Sequence, residues 1–135
     1  MSKKEIEFLK ERSRKFFLNA LYLFRKGHYD LCAFNLEQSC QLYLKYLIAK
    51  KIGDWPKTHY LHELIKRLSE VYEKPEINNY LLENEIFFDD LTDAYFTSRY
   101  LPKTFNRNLV KKMVQEYKKF LKFIEKTLNE KLIEK

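Results

Sequence analysis

YDLCAFNLEQSCQLYLKYLIAKK, residues 29–51, decides how the rest of this chain is read. Wound at ~3.6 residues per turn, Leu31, Cys32, Phe34, Leu36, Leu42, Tyr43, Leu44, Leu47 and Ile48 point in almost every direction. A helix that is apolar nearly all round has neighbours on every side, so the segment is expected at the centre of an all-α bundle. Gln38, Gln41 and Lys45 are the polar exceptions on it.

Working outward, Ile6, Leu9, Phe16, Ala20 and Phe24 recur at three- and four-residue steps, with Phe17 and Leu21 widening the stripe. This predicts a first helix from about Lys3 to Lys26, stopped by Gly27. After the central helix, Gly53-Asp54-Trp55-Pro56 breaks the pattern. Thr58 is placed to cap a third helix running through His59, Leu61, Leu64, Ile65 and Leu68. Lys74-Pro75 resets the chain, and a fourth helix is expected through Leu81, Leu82, Ile86, Leu91 and Tyr95 until Leu101-Pro102. In the last helix, Val110, Met113, Val114, Tyr117, Phe120, Leu121, Ile124 and Leu128 form one stripe, with Lys111, Lys118, Lys119, Lys122 and Lys126 largely opposite. The expected fold is an antiparallel bundle of four to five helices in one domain spanning 1–135.

Composition agrees. The 135 residues are 45% apolar and 16% aromatic, with two glycines and three prolines, far too few turn formers for a short-stranded β fold. Lys, Arg, Asp, Glu or Gln interrupts every apolar run, so no membrane span is expected. The first ten residues are too charged for a secretory signal, and a cytoplasmic location is expected. Cys32 and Cys40 lie eight residues apart on one helix, a rise of about 12 Å that no disulfide bridges, and they read as small core residues.

The net charge of +7 is unevenly placed. Residues 103–135 hold ten Lys/Arg against four Asp/Glu, and residues 3–26 hold eight against three. Residues 27–102 hold eight against twelve, with Glu83, Glu85, Asp89, Asp90 and Asp93 close together. Basic ends around an acidic centre can attract phosphates to the ends or dock two copies head to tail.

Little self-contained chemistry is available. No phosphate-cradling glycine loop, dinucleotide fingerprint or nucleophile elbow occurs. His59 and His62 read as helical neighbours at i and i+3, but no third ligand is evident, and neither a metal nor a cofactor is expected. The segment that stands out is 93–102, Asp-Ala-Tyr-Phe-Thr-Ser-Arg-Tyr-Leu-Pro. It sets Arg99, a planar fork for phosphate, among Tyr95 and Tyr100, whose rings offer stacking surfaces, with Asp93 about a third of a turn off that face.

Gly27-His28-Tyr29-Asp30, Phe34, Glu37-Gln38, Leu44-Lys45-Tyr46, Gly53, Pro56-Lys57-Thr58-His59 and Ala94-Tyr95 to Ser98-Arg99-Tyr100 follow one another in an order that resembles the HEPN (higher eukaryotes and prokaryotes nucleotide-binding) family over about Phe16 to Phe123. The resemblance implies a nucleotidyltransferase substrate-binding-subunit-like, up-and-down helical bundle, usually dimeric. It also implies a small nucleotidyltransferase as partner in a toxin–antitoxin-like pair, or a metal-independent ribonuclease using an Arg, four to six residues and a His. This chain departs from the nuclease pattern: Thr104, Phe105 and Asn106 occupy the candidate positions, and no histidine follows Tyr100.

A non-catalytic module for a nucleotide, RNA or other phosphate-bearing ligand is therefore the leading expectation, with Arg99, Tyr95, Tyr100, Asp93, Lys45, His59 and His62 as candidate binding residues. A ribonuclease toxin is the alternative, requiring His59 or His62 to reach Arg99. An interaction protein whose basic last helix docks on an acidic partner is the third.

Overall fold

A computed structural model describes residues 2–100 and 105–134, the side chains of 97–100 excepted. The described residues form six helices: α1 Lys3–Arg25, α2 Tyr29–Ile52, α3 Leu61–Tyr72, α4 Pro75–Glu83, α5 Glu85–Tyr100 and α6 Arg107–Leu128. Ser2 and Glu5 close a capping box at the start of α1, each side chain taking the other's backbone N–H. Gly27 and Gly53 follow α1 and α2 in the left-handed conformation that glycine adopts without strain.

The central position of α2 is borne out. Fifteen of its residues are buried, and α1, α3, α5 and α6 all pack on it. Its pairing with α1 is antiparallel and is pinned by polar contacts. The Asn19 side-chain amide donates to Asn35 Oδ1 at 3.1 Å, and Ser13 Oγ donates to the Ser39 carbonyl at 2.6 Å. Ser39 Oγ in turn lies 2.8 Å from Tyr117 Oη on α6. One core runs through all six helices, and Leu132, beyond α6, joins it. Glu130 holds this C-terminal stretch to Lys50 and Lys10. Cys32 and Cys40 are both free and buried. Burial pushes the Cys32 thiol up to about 12 and Cys40 well above its ordinary value, so both are protonated core groups.

Two boundaries differ from those expected. The expected fourth helix is two, α4 and α5, because Asn84 bends its backbone out of the helix while its side-chain amide donates to the Tyr80 carbonyl at 2.9 Å. The Asn84 carbonyl then accepts from Phe88 as α5 begins. The described residues thus form six helices within the expected all-α bundle. Thr58 does not cap α3 either. Its hydroxyl accepts the Tyr60 N–H at 3.2 Å in a local turn, and α3 starts at Leu61, leaving His59 in the lead-in rather than on the helix. His59 and His62 are consequently not neighbours on one helix face.

Within the core, Ile124 is fully buried, whereas Phe34 is only half-buried. Ile124→Ala is expected to cost about 2–5 kcal/mol of stability and Phe34→Ala less, a ranking that urea denaturation of the two variants checks directly.

Candidate functional site

On a helix otherwise packed with apolar side chains, Glu37, Gln41 and Lys45 recur every fourth residue and so form one column along α2. All three are buried: Glu37 is 1% exposed and Lys45 6%. An isolated charge cannot be held at such depth without compensation, and the column supplies it by hydrogen bonds. Glu37 accepts from the Gln38 amide at 2.8 Å through one carboxylate oxygen and from the Gln41 amide at 3.0 Å through the other. Gln41 is thereby oriented with its carbonyl toward Lys45, whose ammonium donates to it at 3.1 Å. The chain leaves the helix at its last link, Lys45 Nζ to His59 Nδ1 at 3.3 Å.

Nδ1 of His59 lies 3.3 Å from Lys45 Nζ and 3.1 Å from Gln41 Oε1, so it accepts from the ammonium in one tautomer and donates to the amide carbonyl in the other. His59 itself is exposed. Burial holds the Lys45 ammonium below its usual range, and the Glu37 carboxylate partly restores it.

On the other side of His59 stands α5. The Tyr95 ring stacks on the imidazole, centroids 6.3 Å apart with 25° between planes, and Phe96 meets Tyr95 edge-on at 5.2 Å. Lys45, His59 and Tyr95, three of the residues singled out from sequence, therefore come together. His62 does not join them: its Nε2 lies 2.9 Å from Asp89 Oδ1, tying α3 to α5. Asp93 is exposed on α5. Arg99 and Tyr100 belong to the last turn of α5, but their side chains lie outside the described residues. Glu37 and Gln41 were not assigned a role from sequence. The signal that marks them is their spacing from Lys45, an unbroken polar column along the buried side of the helix.

Among the described residues, no three His, Cys, Asp or Glu side chains converge as a metal ion would require. No helix among them is long and apolar enough to cross a membrane.

In architecture this is a helical-bundle domain whose polar site is laid along the central helix and opens at one loop. The chain belongs to the HEPN family: the model of the HEPN domain matches residues 6–127, nearly its whole length. No curated protein and no solved structure matches it.

The column makes a test available. Gln41→Leu takes one hydrogen bond from the buried Glu37 carboxylate and one from the buried Lys45 ammonium, and is expected to cost about 2–4 kcal/mol. Lys45→Met removes the cation and leaves the Glu37 carboxylate buried without it, and is expected to cost about 3–5 kcal/mol. Because the folded-state value of Lys45 lies below the 10.5 of an unperturbed lysine, the unfolded chain holds more protons between the two values. Stability from this residue therefore rises with pH through that alkaline window and is lost as pH falls through the folded value. The difference between wild-type and Lys45→Met unfolding free energies, followed from neutral to alkaline pH by urea titration, is expected to show that slope.

Proposed function

We propose that this HEPN domain is a binding module for a nucleotide or a short single-stranded RNA, taken at the mouth formed by His59 and Tyr95 and acting without a catalytic base of its own. The observation that carries the reading is the meeting of the Lys45 ammonium, the exposed His59 imidazole and the Tyr95 ring at one place. In the tautomer whose Nδ1 accepts from Lys45, Nε2 carries a hydrogen that suits a phosphate or carbonyl oxygen. The Tyr95 ring beside it supplies an aromatic surface for a base. Arg99, one turn further along α5 in sequence, contributes the fixed cation in this reading.

The module acts as a two-fold homodimer, for which the exposed Tyr60, next to His59, and the exposed Phe96, against Tyr95, provide apolar surface beside the site. A small nucleotidyltransferase is the partner that family membership suggests, in a toxin–antitoxin-like pair.

One observation favours a ribonuclease as the second reading: the loop before α3 carries His59 to α5, the helix that contains Arg99. Cleavage through His59 uses the tautomer in which Nδ1 donates to Gln41 Oε1 and Nε2 accepts a proton.

Anisotropy titration of labelled single-stranded RNA, and calorimetry with mononucleotides, in buffer containing a chelator, test the proposal. Weak, salt-sensitive binding is expected, with His59→Ala and Arg99→Ala each weakening it about tenfold while the melting temperature changes little. Metal-independent RNA cleavage abolished by His59→Ala would establish the second reading instead. Affinity unchanged in both variants would remove the site.

A further inference from the structure

Two surfaces outside the site are apolar, charged and opposite in sign. The first is the corner where α4 turns into α5. Leu82 and Ile86, 57% and 77% exposed, stand there over a groove of about 540 Å³ that also reaches α6. Glu83, Glu85 and Glu116 line it, with Lys112 as the cation among them. The second is the outer face of α1. Phe8, Leu18 and Tyr22 are each about half-exposed on it. At ~100° per residue they share an arc of roughly 120° with Arg12, Lys15 and Lys26, in which Glu11 is the one acidic residue and is paired with Arg14 at 2.6 Å. The Arg12 guanidinium lies 4.8 Å from the Phe8 ring centroid, and Lys26 Nζ lies 5.7 Å from that of Tyr22. The stripe therefore presents cations and rings as one surface over about 27 Å of helix.

These surfaces complement each other in charge and in apolar content, yet they do not meet within one chain. Among the described residues α1 packs on α2 and α6 and touches none of α3, α4 and α5. With a net charge of +7, two copies of the protein repel each other in most orientations. The orientation that sets the basic stripe of one copy against the acidic corner of the next replaces that repulsion with attraction and covers exposed apolar side chains on both.

We propose that the Leu82/Ile86 corner is a docking groove for the α1 outer face of a second copy of this chain. The contact is heterologous: each molecule keeps one unused stripe and one unused groove, so the association propagates or closes as a ring rather than stopping at two. It stands independently of ligand binding at His59 and of the two-fold dimer, neither of which uses these residues.

Complementation between two variants tests it. Glu83→Lys with Glu85→Lys destroys the groove's charge and leaves the stripe, whereas Arg12→Glu with Lys15→Glu does the reverse. All four positions are exposed, so the helical melting curves of both variants are expected to match the wild type. By sedimentation velocity from tens to hundreds of micromolar at low salt, wild type is expected to associate beyond any dimer in a concentration-dependent way. Each variant alone should lose that association by about tenfold or more, and high salt should weaken the wild type similarly. An equimolar mixture should recover a species larger than either variant forms alone, because the intact stripe of one meets the intact groove of the other. Should a charge variant fail to fold, Ile86→Asp removes the same contact from the groove side. The proposal is overturned by wild type that does not associate beyond a dimer, by variants that associate as wild type does, or by a mixture that yields no larger species. A dimer that persists in every variant identifies the two-fold interface and leaves this test unaffected.

Discussion

An ammonium and a carboxylate two turns apart, both buried on the central helix, set the terms for the rest of this bundle. Eight residues separate Lys45 from Glu37, a rise of about 12 Å, so Gln41 between them acts as a bridge with its amide facing one way and its carbonyl the other. That arrangement holds only while water is kept out and each link stays oriented, because an unpartnered charge at this depth is worth several kcal/mol against the fold. The apolar remainder of α2, and the helices that pack on it, perform that exclusion. Buried ion chains are seldom the cheapest route to stability, since well-packed apolar side chains of similar volume serve as well. Their presence on the central helix places a buried ammonium against His59, which stands at the exposed end.

The parts of this structure that were legible in the sequence are those governed by periodicity over many residues. α1, α2 and α6 each carry five or more turns of pattern, and their ends coincide with Gly27, Gly53 and Asn129, where the backbone turns left-handed. The boundaries that were not legible are governed by one polar side chain each. The Asn84 side chain shares the Tyr80 carbonyl with its own backbone N–H as the backbone leaves helical geometry, and Thr58 takes the N–H of Tyr60 before α3 can begin. Neither residue type is decisive alone, since Asn and Thr also occur inside helices, and only tertiary packing selects the competing bond.

The site followed the same division. Lys45, His59 and Tyr95 were recognisable through family motifs, but their convergence depends on a loop reversing over the side of α2, which no local pattern encodes. His62, singled out with His59 on helical spacing, went elsewhere once the helix began two residues later than expected. Phe34 was misplaced for a related reason. On a helix apolar all round there is no stripe to set the phase, so half-buried and buried positions look alike.

α2 in fact carries two polar sets, and their difference bears on function. Asn35 and Ser39 lie about 160° and 200° around the helix from Glu37, on the side facing α1 and α6. Every group in that set is neutral, and each satisfies a partner on another helix without a charge to desolvate, which fixes how α1 and α6 register on α2. The set at Glu37, Gln41 and Lys45 faces the other way, contains both charges, and ends at a side chain in contact with solvent. Had the bundle needed polar contacts for specificity alone, the neutral set shows that they could be supplied without burying ions. The charged set runs from the core outward to His59, and the proposed binding function gives that direction a purpose that the neutral set does not need.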